Sequence, residues 1–414
     1  MTKTKEPKIF YGWIIIIAGF LTTFAGMGVI NSMSGVLLVP ITEDLGFTRA
    51  EFTFHRSILF LLGACFMPLY GRLFEKFGVK KIMIITSIAI AFCIYAFSWA
   101  TTLSHFYWLA VLNSIFITGI SFLSVGYLIA SWFEDRRGFV TGIAFAGFGI
   151  GTMIFIPIST WIYEQTDWQT VYQVIGVIVL IIVFPTTMFL VKDKPEDIGQ
   201  KPYRNKEETK TIKSVEAKNI SFKQALKSPV FWMLISAFFL LSIIQGGPNF
   251  NAIPFLTDIG HTEAFAALVM SGLMLAHTIG NLSLGTFFDK FGMKNGGLFL
   301  GICCIIFPLL ALGAGNQIFV WLFAIFYGPA SSGFVPVAVV VTYYFGGKNF
   351  ALIFAVFNMA MQLGMSISGP AMAIVYDLSG SYNISWLMLT VFGVIITAFL
   401  FISFLVNKKP SKVR

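Results

Sequence analysis

Charge is what this 414-residue sequence has least of: only 11% of its residues are Asp, Glu, Lys or Arg, and the acids number 19. A soluble chain needs roughly 25% charged residues to present a surface to water. That shortage excludes soluble enzymes, disordered proteins and nucleic-acid binders, even though the net charge is +9. Cysteine is scarce as well. Cys65, Cys93, Cys303 and Cys304 all fall inside apolar runs, which indicates neither a disulfide framework nor a zinc site. No short apolar core with a small-residue cleavage site opens the chain, so no signal peptide is expected. Nothing calls for a cofactor or a metal.

Apolar residues are what the sequence has in excess, at 57%, with 46 Phe. A helix needs about 20 mainly apolar residues to cross the hydrocarbon layer of a bilayer. Twelve runs meet that length: 12–37, 52–71, 82–99, 106–131, 139–162, 169–191, 229–256, 264–286, 296–313, 318–343, 350–375 and 384–406. Helices are expected, since barrel strands are about ten residues long and alternate in polarity. The fold class is therefore all-α and integral to the membrane, with the lipid bilayer as the large partner.

An even number of spans puts both termini on one side. That side carries 26 of the 28 Lys and Arg, and only Arg49 and Arg56 fall on the other. Positive charge accumulates on the cytoplasmic face, so both termini are expected in the cytoplasm of a cell whose inner membrane holds the protein. The net charge is thus a topology signal.

Residues 192–228 interrupt the pattern, with 16 charged residues among 37 and no apolar run of membrane length. They divide the chain into a six-helix bundle at 1–191, a cytoplasmic linker, and a second six-helix bundle at 229–414. The halves are related. Pro40, Asp44, Gly46 and Thr48 recur as Pro254, Asp258, Gly260 and Thr262, an offset of 214. Gly71, Phe74, Lys76, Phe77, Gly78 and Lys80 recur at the same offset as Gly285, Phe288, Lys290, Phe291, Gly292 and Lys294, and Glu75 matches Asp289 as an acid. A weaker match pairs Phe133 and Arg136 with Phe345 and Lys348 at an offset of 212. Six spans per repeat insert in the same orientation, giving a pseudo-two-fold axis along the membrane normal. That parallel arrangement places a substrate site at mid-membrane between the halves.

The run from Gly71 to Lys81 resembles the signature loop between spans 2 and 3 of the major facilitator superfamily. Further features resemble its oxalate–formate antiporter and bacterial monocarboxylate transporter branch. These are Tyr11-Gly12-Trp13, Trp132-Phe133 with Arg136-Arg137-Gly138, the glycines 147, 149 and 151, Ile253-Pro254-Phe255-Leu256 with Asp258-Ile259-Gly260, and Ser368-Gly369-Pro370. The likeness covers both bundles and excludes the linker. It implies a monomeric secondary transporter of organic anions, working by proton symport or anion exchange. In the loop motifs Gly71, Glu75, Lys76 and Gly78, with Gly285, Asp289, Lys290 and Gly292, are expected to pack and unpack as the halves rock. One position departs from the branch. Its carboxylate carriers have a Gly-Arg pair in the eighth span, and here the pair is Gly280-Asn281. An amide lacks the fixed charge and bidentate fork that suit Arg to carboxylates.

Ionisable groups inside a membrane are costly and usually functional. His277 lies near the middle of the eighth run, and Arg56, with His55 beside it, sits about a turn inside the outer end of the second. His277 reads as a substrate donor or proton-coupling group; the plain alternative is a neutral histidine bonded between helices. Asn281, four residues on, faces the same way. Arg56 reads as an anion attractor at the outer mouth, or as a side chain snorkelling to the interface. The deep amides are Asn31, Asn113, Gln245, Asn358 and Gln362, with Asn31 and Gln245 at equivalent places in the two halves. Gln245-Gly246-Gly247-Pro248-Asn249 predicts a proline kink beside the substrate. Tyr327, near Ser331, is a further candidate donor. Amides and hydroxyls also join helices to one another.

No acidic pair, metal-binding His-Glu-x-x-His helix or nucleophile beside a base occurs in the apolar runs, so an enzyme is not expected. A receptor or channel leaves the repeated loops unexplained. Within transport, a small organic anion competes with a neutral or lipophilic cargo. A cationic drug is disfavoured for want of an interior carboxylate, and residues 147–157 lack the drug-antiporter pattern of Gly-Pro followed closely by glycines.

Overall fold

The computed structural model describes residues 10–204, 220–346 and 349–408. The central part of the linker, 205–219, and Lys348 of the weaker repeat match lie outside them. The described residues are almost wholly helical. Eleven helical stretches are long and apolar enough to cross a membrane, and Leu268–Ala311 among them is two spans, because Gly292 leaves the helix at φ 75°. The twelve spans are α1 (Gly12–Met33), α2 (Arg49–Phe77, apolar from Phe54), α3 (Val79–Trp99), α4 (Leu103–Trp132), α5 (Arg137–Gln165), α6 (Trp168–Leu190), α7 (Pro229–Asp258), α8 and α9 (the arms of Glu263–Ala311 before and after Gly292), α10 (Gln317–Phe345), α11 (Phe350–Ser379) and α12 (Asn383–Lys408).

The repeated motifs work at helix ends. Thr48 caps α2, and Glu51 returns the bond to the Thr48 N–H at 2.9 Å; Thr262 caps α8 at Phe265 N, 3.3 Å. Each such bond satisfies a donor that a helix start leaves free. Gly46, Gly78, Gly260 and Gly292 all have positive φ, as chain reversals that a Cβ would strain.

Two spans break where the sequence shows one run. Helix α4 is interrupted between Thr118 and Phe122, and α10 between Ser331 and Phe334; the helices resume at Phe122 and Phe334, again 212 residues apart. Around the first break Ser121 accepts a bond from Leu123 N at 3.2 Å. The kink expected at Pro248 takes no such form: α7 stays helical through Pro248 and Pro254.

Glycines let the two halves touch. In the half of the molecule nearer the termini, called here the basic end, a Cβ on Gly71 of α2 would meet the Ala351 backbone of α11. A Cβ on Gly138 of α5 would meet the Gly285 carbonyl of α8, and one on Gly142 the Asn281 carbonyl. Small residues allow such close backbone approach where lipid gives no hydrophobic drive between helices. Large apolar side chains such as Trp108, Trp161, Ile181 and Phe189 are 64–70% exposed, which suits a lipid-facing surface and not a watery one.

Candidate substrate cavity between the two halves

A cavity of about 210 Å³ lies between the halves, lined from α1, α2, α3, α4, α5 and α6 on one side and α7, α8, α10 and α11 on the other. It begins at mid-depth and extends toward the end opposite the termini, reaching Phe52 near the start of α2, Phe97 near the end of α3 and Tyr172 in the first turns of α6.

Of the expected binding residues, Asn31, Asn113, Gln245, Asn249, His277, Tyr327 and Gln362 line this cavity. Asn281 is not in the lining. It is buried at 2% exposure behind His277, and its Nδ2 reaches the ring Nε2 at 3.2 Å. Arg56 is in the cavity wall and only part-exposed. The loop-motif residues are absent from the lining and stand at the basic end.

Hydrogen bonds engage both ring nitrogens of His277. Nδ1 lies 2.9 Å from Ser331 Oγ, and the same hydroxyl is 2.9 Å from the Gly328 carbonyl. Nε2 lies 3.2 Å from Asn281 Nδ2. Phe148 of α5 meets the edge of the imidazole at 6.1 Å across the cavity.

Three amides are less complete. Asn113 Oδ1, Gln245 Nε2 and Asn358 Oδ1 are buried without a hydrogen-bond partner among the described residues, on side chains that line the cavity. An unsatisfied buried polar atom costs about 1–3 kcal/mol. Next to Gln245, the Tyr327 hydroxyl donates to the Gln245 carbonyl at 2.8 Å, tying α10 to α7. The carbonyl that Pro248 leaves without its helix donor is that of Ile244, one residue earlier.

Residues that the sequence reading passed over complete the wall. Phe122 and Phe334 stand at the two helix breaks with their rings 4.9 Å apart, and both line the cavity. Extending the 212 offset of Phe133 and Phe345 back along the chain finds this pair. Tyr172 acts electrostatically on Arg56 from α6. No Asp, Glu or Lys is among the described lining residues.

At the basic end the motif acids cross between halves. Asp289 accepts from Gly138 N at 3.0 Å and from Phe139 N at 2.7 Å, on the first turn of α5. Glu75 accepts from the Leu352 backbone, on the first turn of α11. Acids at helix starts meet free N–H groups and the positive end of the helix dipole. Arg137 adds a third cross-bond, to Thr342 Oγ1 at 2.6 Å.

Two related six-helix bundles around a mid-membrane cavity, latched at one end, make a multi-pass membrane transporter. The model of the Major Facilitator Superfamily matches residues 15–328 and again 249–414. This chain belongs to that superfamily. It is 23% identical over 403 residues to monocarboxylate transporter 12 of Xenopus laevis, across 91% of this chain and 85% of that protein. It is 26% identical over 292 residues to the uncharacterized MFS-type transporter YhjX of Escherichia coli (strain K12), across 67% of this chain and 66% of that one. Among solved structures, FucP in its outward conformation is similar with a TM-score of 0.69 and 16% identity, covering 95% of this chain and 99% of that one. The proton:xylose symporter XylE gives 0.71 and 14% over 94% of each chain. Those two likenesses bear on the fold alone.

Proposed function

We propose that this transporter moves a small organic anion, a mono- or dicarboxylate, across the cytoplasmic membrane by alternating access. The observation that carries the reading is the charge of the cavity: Arg56 stands in a wall whose described residues include no carboxylate. Arginine pairs with carboxylates through two parallel bonds, strongest where water is excluded. The open amide atoms of Asn113, Gln245 and Asn358, with Asn31, Asn249, Tyr327 and Gln362, are the polar contacts offered to the rest of the cargo. His277 reaches the cargo through its ring edge, and Asn281 holds that ring. The printed names of relatives such as monocarboxylate transporter 12 support the same cargo class.

In this reading bundles 1–191 and 229–414 are the rocking bodies, joined by the linker 192–228, and a single chain is the working unit. The basic end faces the cytoplasm, so the closed latch of Asp289 and Glu75 belongs to the outward-facing state. Movement requires the latch acids to leave α5 and α11, and the glycines at 71 and 285 to part from their neighbours.

A neutral or lipophilic cargo is the second reading. It is favoured by Asn281 at the position where carboxylate carriers have Arg, and by the many Phe, Met, Ile and Leu of the wall. Reconstituted protein given labelled short-chain carboxylates and their uncharged amides separates the two. Saturable carboxylate uptake is expected, and saturable uptake of amides alone overturns the anion reading.

A further inference from the structure

We propose that His55, not His277, binds the transported proton, and that it does so together with the anion beside Arg56; this rests on the anion reading above. The cavity holds one histidine from each half. His277 has both ring nitrogens engaged, Nδ1 by the Ser331 hydroxyl and Nε2 by the Asn281 side chain. His55 differs. Its Nδ1 is bonded to the Phe52 carbonyl, an acceptor only, so Nδ1 carries the hydrogen and Nε2 keeps its lone pair. That nitrogen has no hydrogen-bond partner among the described residues, and the ring stands in the cavity wall.

The surroundings of His55 make its protonation depend on cargo. From α3 and α4 the groups packed against it are the rings of Phe97 and Phe106, and on its own helix the ring of Phe52. The charged group acting on it is Arg56, and Tyr172 faces that arginine from α6. Imidazolium beside guanidinium in an apolar wall is opposed by like charge and by lost hydration. A carboxylate entering there faces both cations, so each ligand favours the other. Such coupling is reciprocal: the proton tightens the anion as much as the anion tightens the proton. The step is a simple association. A proton from the outer medium adds to the Nε2 lone pair, no bond in the cargo breaks, and the proton leaves with the cargo once the basic end opens.

The test uses the full chain with pyruvate and phenylpyruvate as probes, each against its uncharged amide, with affinity read by thermal stabilisation at a series of pH values. One linked proton makes wild-type carboxylate affinity rise up to about tenfold for each unit of falling pH, while amide affinity stays flat. His55→Asn keeps a donor for the Phe52 carbonyl and removes the titration, so its carboxylate affinity becomes flat with pH; His55→Gln provides a second variant should the first fail to fold. His277→Gln keeps the wild-type slope. A flat wild-type profile, an unchanged slope in the His55 variants, or a slope lost only in His277→Gln overturns the proton site and leaves the anion reading standing. Binding of amides without carboxylates overturns both.

Discussion

Phe122 and Phe334 meet across the interface between the halves, with ring centroids 4.9 Å apart, at equivalent places in the two repeats. Each follows a break in its helix, α4 or α10, so each ring leaves a new helix start at mid-membrane. Both line the cavity, and the basic end lies beyond them. They form its floor. An aromatic pair of this kind is worth about 0.5–1.5 kcal/mol beyond the area it buries.

Phe122→Ala is therefore expected to loosen the floor by roughly that amount, and to raise the population open at the basic end a few-fold. Labelling of a cysteine placed at Tyr127, beyond the floor, by an impermeant thiol reagent measures it. Unchanged labelling would assign the floor to other groups.

Asp289→Asn keeps the shape of the latch and removes its charge. Bonds from backbone N–H groups to a carboxylate contribute more than bonds to a neutral amide, on the order of 1.5–3 kcal/mol against about 1. The substitution is expected to shift the halves several-fold toward the state open at the basic end. Distance distributions between spin labels at the ends of α5 and α8 should show the longer population growing, while the fold remains intact.

Arg56→Gln is expected to weaken carboxylate binding about ten- to hundredfold, as loss of a charge-assisted pair worth roughly 1.5–3 kcal/mol. Uncharged amides of the same acids should bind as before. Equal loss for both would make Arg56 a support of the wall instead.

Glu51 supplies a pH prediction outside the membrane. Its carboxyl is held below the usual carboxylate range by the backbone and hydroxyl hydrogens of Thr48. A group whose pKa is lowered by folding adds stability above its unfolded value, and that share is lost as pH falls through the folded value. The melting-temperature gap between wild type and Glu51→Gln should hold steady at neutral pH and shrink below about pH 4.5. A gap independent of pH would show that the neutral amide caps the helix equally well.

Much of the molecule was legible in the sequence because lipid imposes simple rules. Run length and the demand for internal backbone bonding made twelve helices unavoidable, and repetition of the two motifs at one offset paired the halves. Even the crossing acids were marked, since Glu75 and Asp289 match within the repeat. The breaks at Thr118 and Ser331 were not legible: a hydrophobic run reads the same whether its helix is continuous or interrupted by a local cap such as Ser121. Nor was the smooth passage of α7 through Pro248. A proline removes a bond, and neighbouring packing decides whether the helix bends.

The site divides in the same way. Residue type and depth selected His277, Gln245, Asn113 and Arg56, because polar groups are rare in such a membrane. What those groups can do depended on neighbours from distant parts of the chain. Ser331 and Asn281 occupy both ring nitrogens of His277, whereas the Phe52 carbonyl engages only Nδ1 of His55. The sequence by itself determined the class, the spans and the list of costly side chains, since these follow from composition and period. Which of them line the cavity and which are already hydrogen-bonded was decided only when the tertiary structure brought distant helices within hydrogen-bond range.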